Sequence, residues 1–327
     1  MNTDPAPHRA LRILVSVRNV AEAMLVADEG ADFIDLKDPA AGALGGLPPA
    51  LIADIVRTLR ARPGFAGRIS ATVGDWPADA VDSILERVRA VAATGVDDVK
   101  VGIEPGPHAP RLIEALAREK ANVVPVLIAD CGIDHGGLNA ALAPRAPGAL
   151  HAAFGAVMLD TQDKRGGSLL QRVPHDALRR FVATVQAAGA WAGLAGALRI
   201  DDVPAVISIS PDFAGFRSAV CAGDRAQAID RQRLRALRAA TPATHTARSP
   251  SAPEETARTR TFAEWLSRTV LAAHTSAGCD QPSRIRTSRP AATSSCTSQR
   301  DASRMPWPSL AQPRTISELF DDRCPST

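Results

Sequence analysis

Lysine is nearly absent from this chain: Lys37, Lys100, Lys120 and Lys164 are the only four among 38 basic residues. Arginine stands wherever positive charge alone is needed. The positions that keep lysine are therefore candidates for what arginine cannot do, which is to lose a proton near neutral pH and attack a carbonyl. Cysteine is scarce too. The five present (Cys131, Cys221, Cys279, Cys296, Cys324) show neither CxxC pairing nor metal-ligand spacing, which argues against a metal centre and predicts free cytosolic thiols. No apolar run reaches membrane-spanning length, so no membrane partner is expected. The opening MNTDPAPHRALR lacks the apolar stretch of a secretory signal, and residues 1–10 read as a polar arm. A net charge of +3 is too slight to point to nucleic acid. The first strand–helix turn, SVRN, has no glycine-rich phosphate fingerprint, which weighs against a dinucleotide-binding fold.

What the chain does contain is alternation. Strand-like runs occur at RILVSV (12–17), ADFIDLK (31–37), RISATVG (68–74), DDVKVGI (97–103), NVVPVLIAD (122–130), AVMLDT (156–161), WAGLAG (191–196) and DFAGFRS (212–218). Helical patterns lie between and after them, at 20–29, 49–62, 78–93, 109–120, 149–154, 175–188, 201–207 and 230–240. Val- and Ile-rich strands joined by crossover helices call for a parallel sheet buried on both faces. Eight such units over residues 11–240 predict a (β/α)₈ TIM barrel, with an open doubly wound sheet as the alternative. From residue 241 to 327 the composition turns to Ser, Thr, Pro and Arg, which predicts a low-complexity, disordered tail. Within it only 262–274 has the pattern of a short amphipathic helix.

In a barrel of this type the chemistry sits at the carboxyl ends of the strands. Ser16, Asp35, Lys37, Thr72, Asp75, Lys100, Asp130, Asp160, Lys164 and Arg217 gather there. Residues two apart on a strand face the same side, so Asp35 and Lys37 both project inward, and strands two, four and six bring Lys100 and Lys164 toward them. A desolvated lysine beside other ammonium groups favours its neutral amine. That amine can form a Schiff base, and a second lysine can move the proton. Phosphate is expected at the loops after strands seven and eight, here Gly196, Ala197, Arg217 and Ser218.

Plainer readings stand beside these. Lys37 is also a natural ion-pair partner for Asp35 or Asp160. Lys120 reads as a solvated helix-end charge, and His108, His135 and His151 read as surface residues. Asp130 and His135 suit an acid–base pair or a metal site only weakly, because no third ligand is spaced nearby. Asp75 reads as a helix cap.

The motifs ILVSVRNVAEA, GADFIDLKDPAAGALG, SATVGD, VKVGI, MLDTQDKRG, LAGAL and GFRSAVCAGDRAQAIDRQRL stand in an order and spacing that resembles the (5-formylfuran-3-yl)methyl phosphate synthase family, from Leu11 to Arg238. The resemblance implies a TIM barrel that joins two molecules of glyceraldehyde 3-phosphate into a furan aldehyde phosphate. Phosphate and water would be lost, and the product would serve methanofuran biosynthesis. It implies Lys37 as the Schiff-base lysine and Lys100 as proton acceptor, with Asp35, Asp160 and Lys164 completing the site. It implies no cofactor and no metal. Asp38 stands where the family often has Asn, placing an extra carboxylate beside Lys37.

Two other functions use the same features. A class I aldolase or triose-phosphate isomerising enzyme would need the same lysines, and only its product would differ. A non-catalytic phosphometabolite-binding barrel would bind ligand without forming an imine. The expected partner is a small phosphorylated substrate in the cytoplasm, not nucleic acid. A homo-oligomer through exposed barrel helices is left open.

Overall fold

The computed structural model describes residues 11–144 and 151–241. The polar arm, the tail beyond 241 and the helix expected at 262–274 lie outside the described residues. Among the described residues the strands are β1 (Arg12–Val17), β2 (Phe33–Leu36), β3 (Arg68–Thr72), β4 (Asp98–Ile103), β5 (Val123–Ile128), β6 (Ala156–Asp160), β7 (Trp191–Leu194) and β8 (Phe213–Phe216). The helices are α1 (Val20–Asp28), α2 (Pro49–Arg60), α3 (Val81–Ala92), α4 (Ala109–Leu116), α5 (His135–Leu142), a single turn α6 (Leu169–Arg172), α7 (His175–Ala187), α8 (Val203–Ile209) and α9 (Arg231–Ala240). Every strand runs parallel to the next, and β1 pairs with β8 through Arg12–Phe213 to Val15–Phe216, which closes the barrel and excludes the open sheet.

Two apolar layers hold it. Outward-facing residues such as Ile13, Val15, Ile34, Ile69 and Val101 pack against buried helix stripes. In α2 that stripe is Ile52, Ile55, Val56 and Leu59, the helical repeat expected of a face turned to the barrel. Each such side chain contributes roughly 1.5–3 kcal/mol on burial. Inside the barrel, Leu14, Val124, Val126, Met158 and Phe213 form a second apolar cluster, with Phe33 and Trp191 partly buried against it. The inward positions nearer the carboxyl ends are polar instead. The register sets Ser16 beside Asp35, Asp35 beside Ser70 and Thr72 beside Lys100.

The fifth helix departs from the pattern reading. It is His135–Leu142, capped by the Asp134 side chain, which accepts from Gly136 N at 2.9 Å. Of the stretch expected to be helical at 149–154, residues 149 and 150 lie outside the described residues, and Ala152 forms an antiparallel bridge with Pro144. The glycines at 136 and 137 hide the helical pattern from propensity, whereas the Asp cap and the packing of Leu138 and Ala141 secure it. Cys221 is a free, buried thiol.

Candidate active site

Asp35 stands at the centre of the barrel mouth, fully buried. Its Oδ2 accepts from Ser16 Oγ at 3.0 Å, and its Oδ1 accepts from Ser70 Oγ at 2.7 Å. The Lys100 ammonium lies 3.1 Å from Oδ1, in an ion pair with side chains only 4% and 0% exposed. Burial alone would push the Asp35 carboxyl up, but Lys100, Lys37 and the Ser70 bond together hold it below the usual carboxylate range. Four neighbouring strands thus fix one carboxylate.

Lys37 follows the end of β2, and its backbone N–H still donates to Val17 O at 3.0 Å, which continues the ladder and fixes its inward direction. Its side chain is buried. Among the described residues its ammonium makes no hydrogen bond and no ion pair within 4.0 Å. Burial is the largest influence and lowers its pKa from 10.5 to about 8, with Asp160 and Asp35 opposing and Lys164 and Lys100 adding to the drop. Asp38, the extra carboxylate, accepts from Ala40 N at 2.9 Å.

Asp160 ends β6 and is 2% exposed. It accepts from Thr161 N at 2.8 Å and pairs with the Lys164 ammonium, one helical-turn spacing further along the chain. Burial pushes its carboxyl up, but Lys164, Lys37 and Lys100 outweigh that and hold it low. Burial likewise pulls Lys164 below the ordinary lysine value despite Asp160. The structure therefore brings Asp35, Lys37, Lys100, Asp160 and Lys164 together at one end of the barrel, as two carboxylate–lysine pairs with Lys37 between them in charge but bonded to neither.

A tight cavity of about 20 Å³ is lined by Lys37, Lys100, Asp160, Lys164, Gly196, Ala197, Arg217, Ser218 and Arg225. That is space for about one water. Leu44, 1% exposed, belongs to the cluster inside the barrel, and Asp75 fixes it by accepting from Leu44 N at 3.1 Å. Asp75 is thus a clamp on the β2–α2 loop and not a helix cap; α3 starts after Ala80, and burial raises the Asp75 carboxyl above its ordinary value. Gly42 allows this clamp, since a side chain there, at φ 128°, would collide with the Asp75 carboxylate.

The chain belongs to the 4-HFC-P synthase family. Its family model matches residues 13–238. A Methylorubrum extorquens protein assigned provisionally as (5-formylfuran-3-yl)methyl phosphate synthase is 38% identical over 225 residues, covering 68% of this chain and 88% of that protein. The (5-formylfuran-3-yl)methyl phosphate synthases of Methanosarcina mazei (31% identical over 230 residues, 68% of this chain and 96% of that one) and Methanopyrus kandleri (32% over 232 residues, 68% and 95%) are also similar to it.

In this 4-HFC-P synthase family member the loops after β7 and β8 do line the cavity, but Arg217 is occupied. Its Nε donates to Arg225 O at 2.8 Å, Nη1 to Ser16 O at 3.0 Å and Glu22 Oε2 at 2.6 Å, and Nη2 to Gln227 O at 2.7 Å and Glu22 Oε1 at 3.2 Å. All five guanidinium N–H groups are used, so the expected phosphate contact from this side chain has no donor to make it. Pattern reading places Arg217 at a strand end but does not see Glu22, 195 residues away in sequence and buried in α1.

Among the described residues lining this cavity, Arg225 is the guanidinium without an ion pair, and pattern reading sees it only inside the motif GFRSAVCAGDRAQAIDRQRL. It is half-buried in the cavity wall and makes only long hydrogen bonds, to Gly42 O at 3.3 Å and Ala43 O at 3.5 Å. Ser70 was also missed, although it lies two residues before Thr72 on the same strand and so shares its inward face. Asp130 forms no acid–base pair with His135, which is exposed. It accepts from Gln162 N at 2.6 Å and Asp163 N at 2.9 Å and braces the loop that carries Lys164. Lys120 is exposed, as expected. Among the described residues no group of three or more His, Cys, Asp or Glu could hold a metal ion, and no helix is long and apolar enough to cross a membrane.

Proposed function

We propose that this protein is a (5-formylfuran-3-yl)methyl phosphate synthase that joins two molecules of glyceraldehyde 3-phosphate through a Schiff base on Lys37. The observation that carries this reading is a buried lysine, with its pKa drawn down to about 8, set between two carboxylates that are each bonded to a different lysine. A structural ion pair would bond Lys37 directly. A nucleophile needs its lone pair free.

The Lys37 amine adds to the aldehyde carbon of one triose phosphate, and loss of water gives the imine. The protonated imine draws electrons from the adjacent carbon, and Lys100 in its amine form takes the proton to leave an enamine. Asp35, bonded to Lys100, positions that amine and stabilises the ammonium it becomes, and the proton leaves again in the later elimination steps. The enamine carbon attacks the carbonyl of the second triose phosphate. Asp160 and Lys164 serve the eliminations and ring closure as proton acceptor and donor. Two triose phosphates equal the furan aldehyde phosphate plus one phosphate and two waters, so the sum closes without an oxidant or reductant. Arg225, with backbone N–H groups at Gly196, Ala197 and Ser218, is assigned to the phosphate of the Lys37-bound triose. The product is a precursor for the furan of methanofuran.

The test is product identification. Purified protein incubated with glyceraldehyde 3-phosphate alone should yield the furan aldehyde phosphate by mass spectrometry, together with one equivalent of inorganic phosphate. A simple sugar phosphate as product would assign the protein as a Schiff-base aldolase instead. Lys100→Met should still form the imine but make no furan.

A further inference from the structure

A second, wider cavity of about 460 Å³ opens beside the first, within the roughly 300–1,000 Å³ usual for small-molecule sites. The two share Lys164, Ala197 and Ser218 as a common wall. The outer chamber is lined by Arg165, Arg199 and Arg233 as well as Lys164, against a single carboxylate, Asp201. Among the described residues the three guanidinium groups make no ion pair, although most arginines on the barrel surface have one, for example Arg57, Arg89, Arg179 and Arg235. Ser168, 3% exposed, also lines this chamber, and its hydroxyl has no hydrogen-bond partner. Three unpaired arginines and an orphaned buried hydroxyl face one space whose lining holds a single carboxylate, Asp201, so donors and positive charge are in excess. A phosphate supplies acceptors that fit both.

We propose that this outer chamber binds the phosphate of the second triose, while Arg225 in the inner cavity holds that of the first. The inference rests on the two-triose reaction above. Two phosphate dianions held close together repel strongly in a low-dielectric site, so each needs its own cations. The inner cavity, with space for about one water, must widen to take even the first triose phosphate, which leaves the second to the roomier outer chamber. The shared wall at Lys164 lets the carbonyl end of the second triose point inward while its phosphate stays among the arginines.

The test is the double variant Arg199→Ala/Arg233→Ala, with Arg199→Lys/Arg233→Lys beside it. Both positions are exposed and unpaired, so the fold does not depend on them. The expected result separates two readouts. Borohydride trapping of the first triose on Lys37 stays within about twofold of wild type, while furan formation at low glyceraldehyde 3-phosphate falls by about tenfold or more, with partial recovery in the lysine variant. Unchanged furan formation overturns the inference. So does a parallel loss of trapping and product, because the arginines would then serve the first triose. A wild-type enzyme that traps no imine strikes the Schiff-base reading instead. Binding of inorganic phosphate to the unmodified protein then decides the anion site by itself: loss of binding in the alanine variant supports it and equal binding overturns it.

Discussion

Asp35 on β2 lies two positions before Lys37, which directly follows that strand, yet its carboxylate pairs with Lys100, 3.1 Å away on β4. This cross-strand pairing leaves Lys37 without a bonded counter-charge. It also makes Asp35 the residue on which the buried charges at this end of the barrel depend. Asp35→Asn should leave the Lys100 ammonium buried and unpaired, at a cost of about 3–5 kcal/mol. Urea unfolding measures this directly, and a variant as stable as wild type would show that the pair contributes nothing.

The second prediction concerns pH. Lys37 has its pKa lowered to about 8, so its amine fraction grows as pH rises through that value. Imine trapping at a fixed, low triose phosphate concentration should increase about tenfold between pH 7 and 9 and then level off. An inflection above pH 10 would mean that Lys37 titrates as an ordinary solvated lysine.

The barrel was legible because β1, β4 and β5 carry Val- or Ile-rich runs at the spacing of strand–helix units, and β1 begins and ends where its pattern does, although β7 and β8 contain neither residue. The lysines were legible because arginine had displaced their neighbours in kind. The bonding among them was not. Register alone places Asp35 beside Ser70, and only the closed barrel reveals that Asp35 pairs with Lys100 and not with Lys37. The occupation of Arg217 by Glu22 was hidden for the same reason, since a guanidinium at a strand end reads identically whether its donors are free or used. The fifth helix was missed where an aspartate cap and buried packing overrode a Gly-Gly sequence.

A third prediction follows from the cost of burying Lys37. Its folded pKa lies below the unfolded value, so the charged form destabilises the fold below about pH 8, and this effect fades as pH rises toward 10.5. Lys37→Met removes it, while Asp35 keeps Lys100 and Asp160 keeps Lys164. The variant should be more stable than wild type by about 1–3 kcal/mol at pH 7, with the gain shrinking above pH 8. Denaturant melts at pH 7 and pH 10 check both sign and trend; a loss of stability at pH 7 would contradict it.

Arg217 should behave as a structural residue. Arg217→Lys keeps the charge but reduces five fixed donors to three rotatable ones, leaving acceptors among Ser16 O, Arg225 O and Gln227 O unsatisfied. The expected loss is about 2–4 kcal/mol. At a temperature where the variant stays folded, the triose phosphate concentration for half-maximal rate should change little. A large rise in that concentration with unchanged stability would return Arg217 to a phosphate-binding role.

The central claim is the chemistry of Lys37, and borohydride trapping with glyceraldehyde 3-phosphate followed by peptide mass mapping tests it most directly. A reduced triose phosphate adduct on the peptide that contains Lys37, absent from Lys37→Met, is the predicted result. A folded protein that gives no adduct, or an adduct confined to Lys100, Lys120 or Lys164, would contradict it.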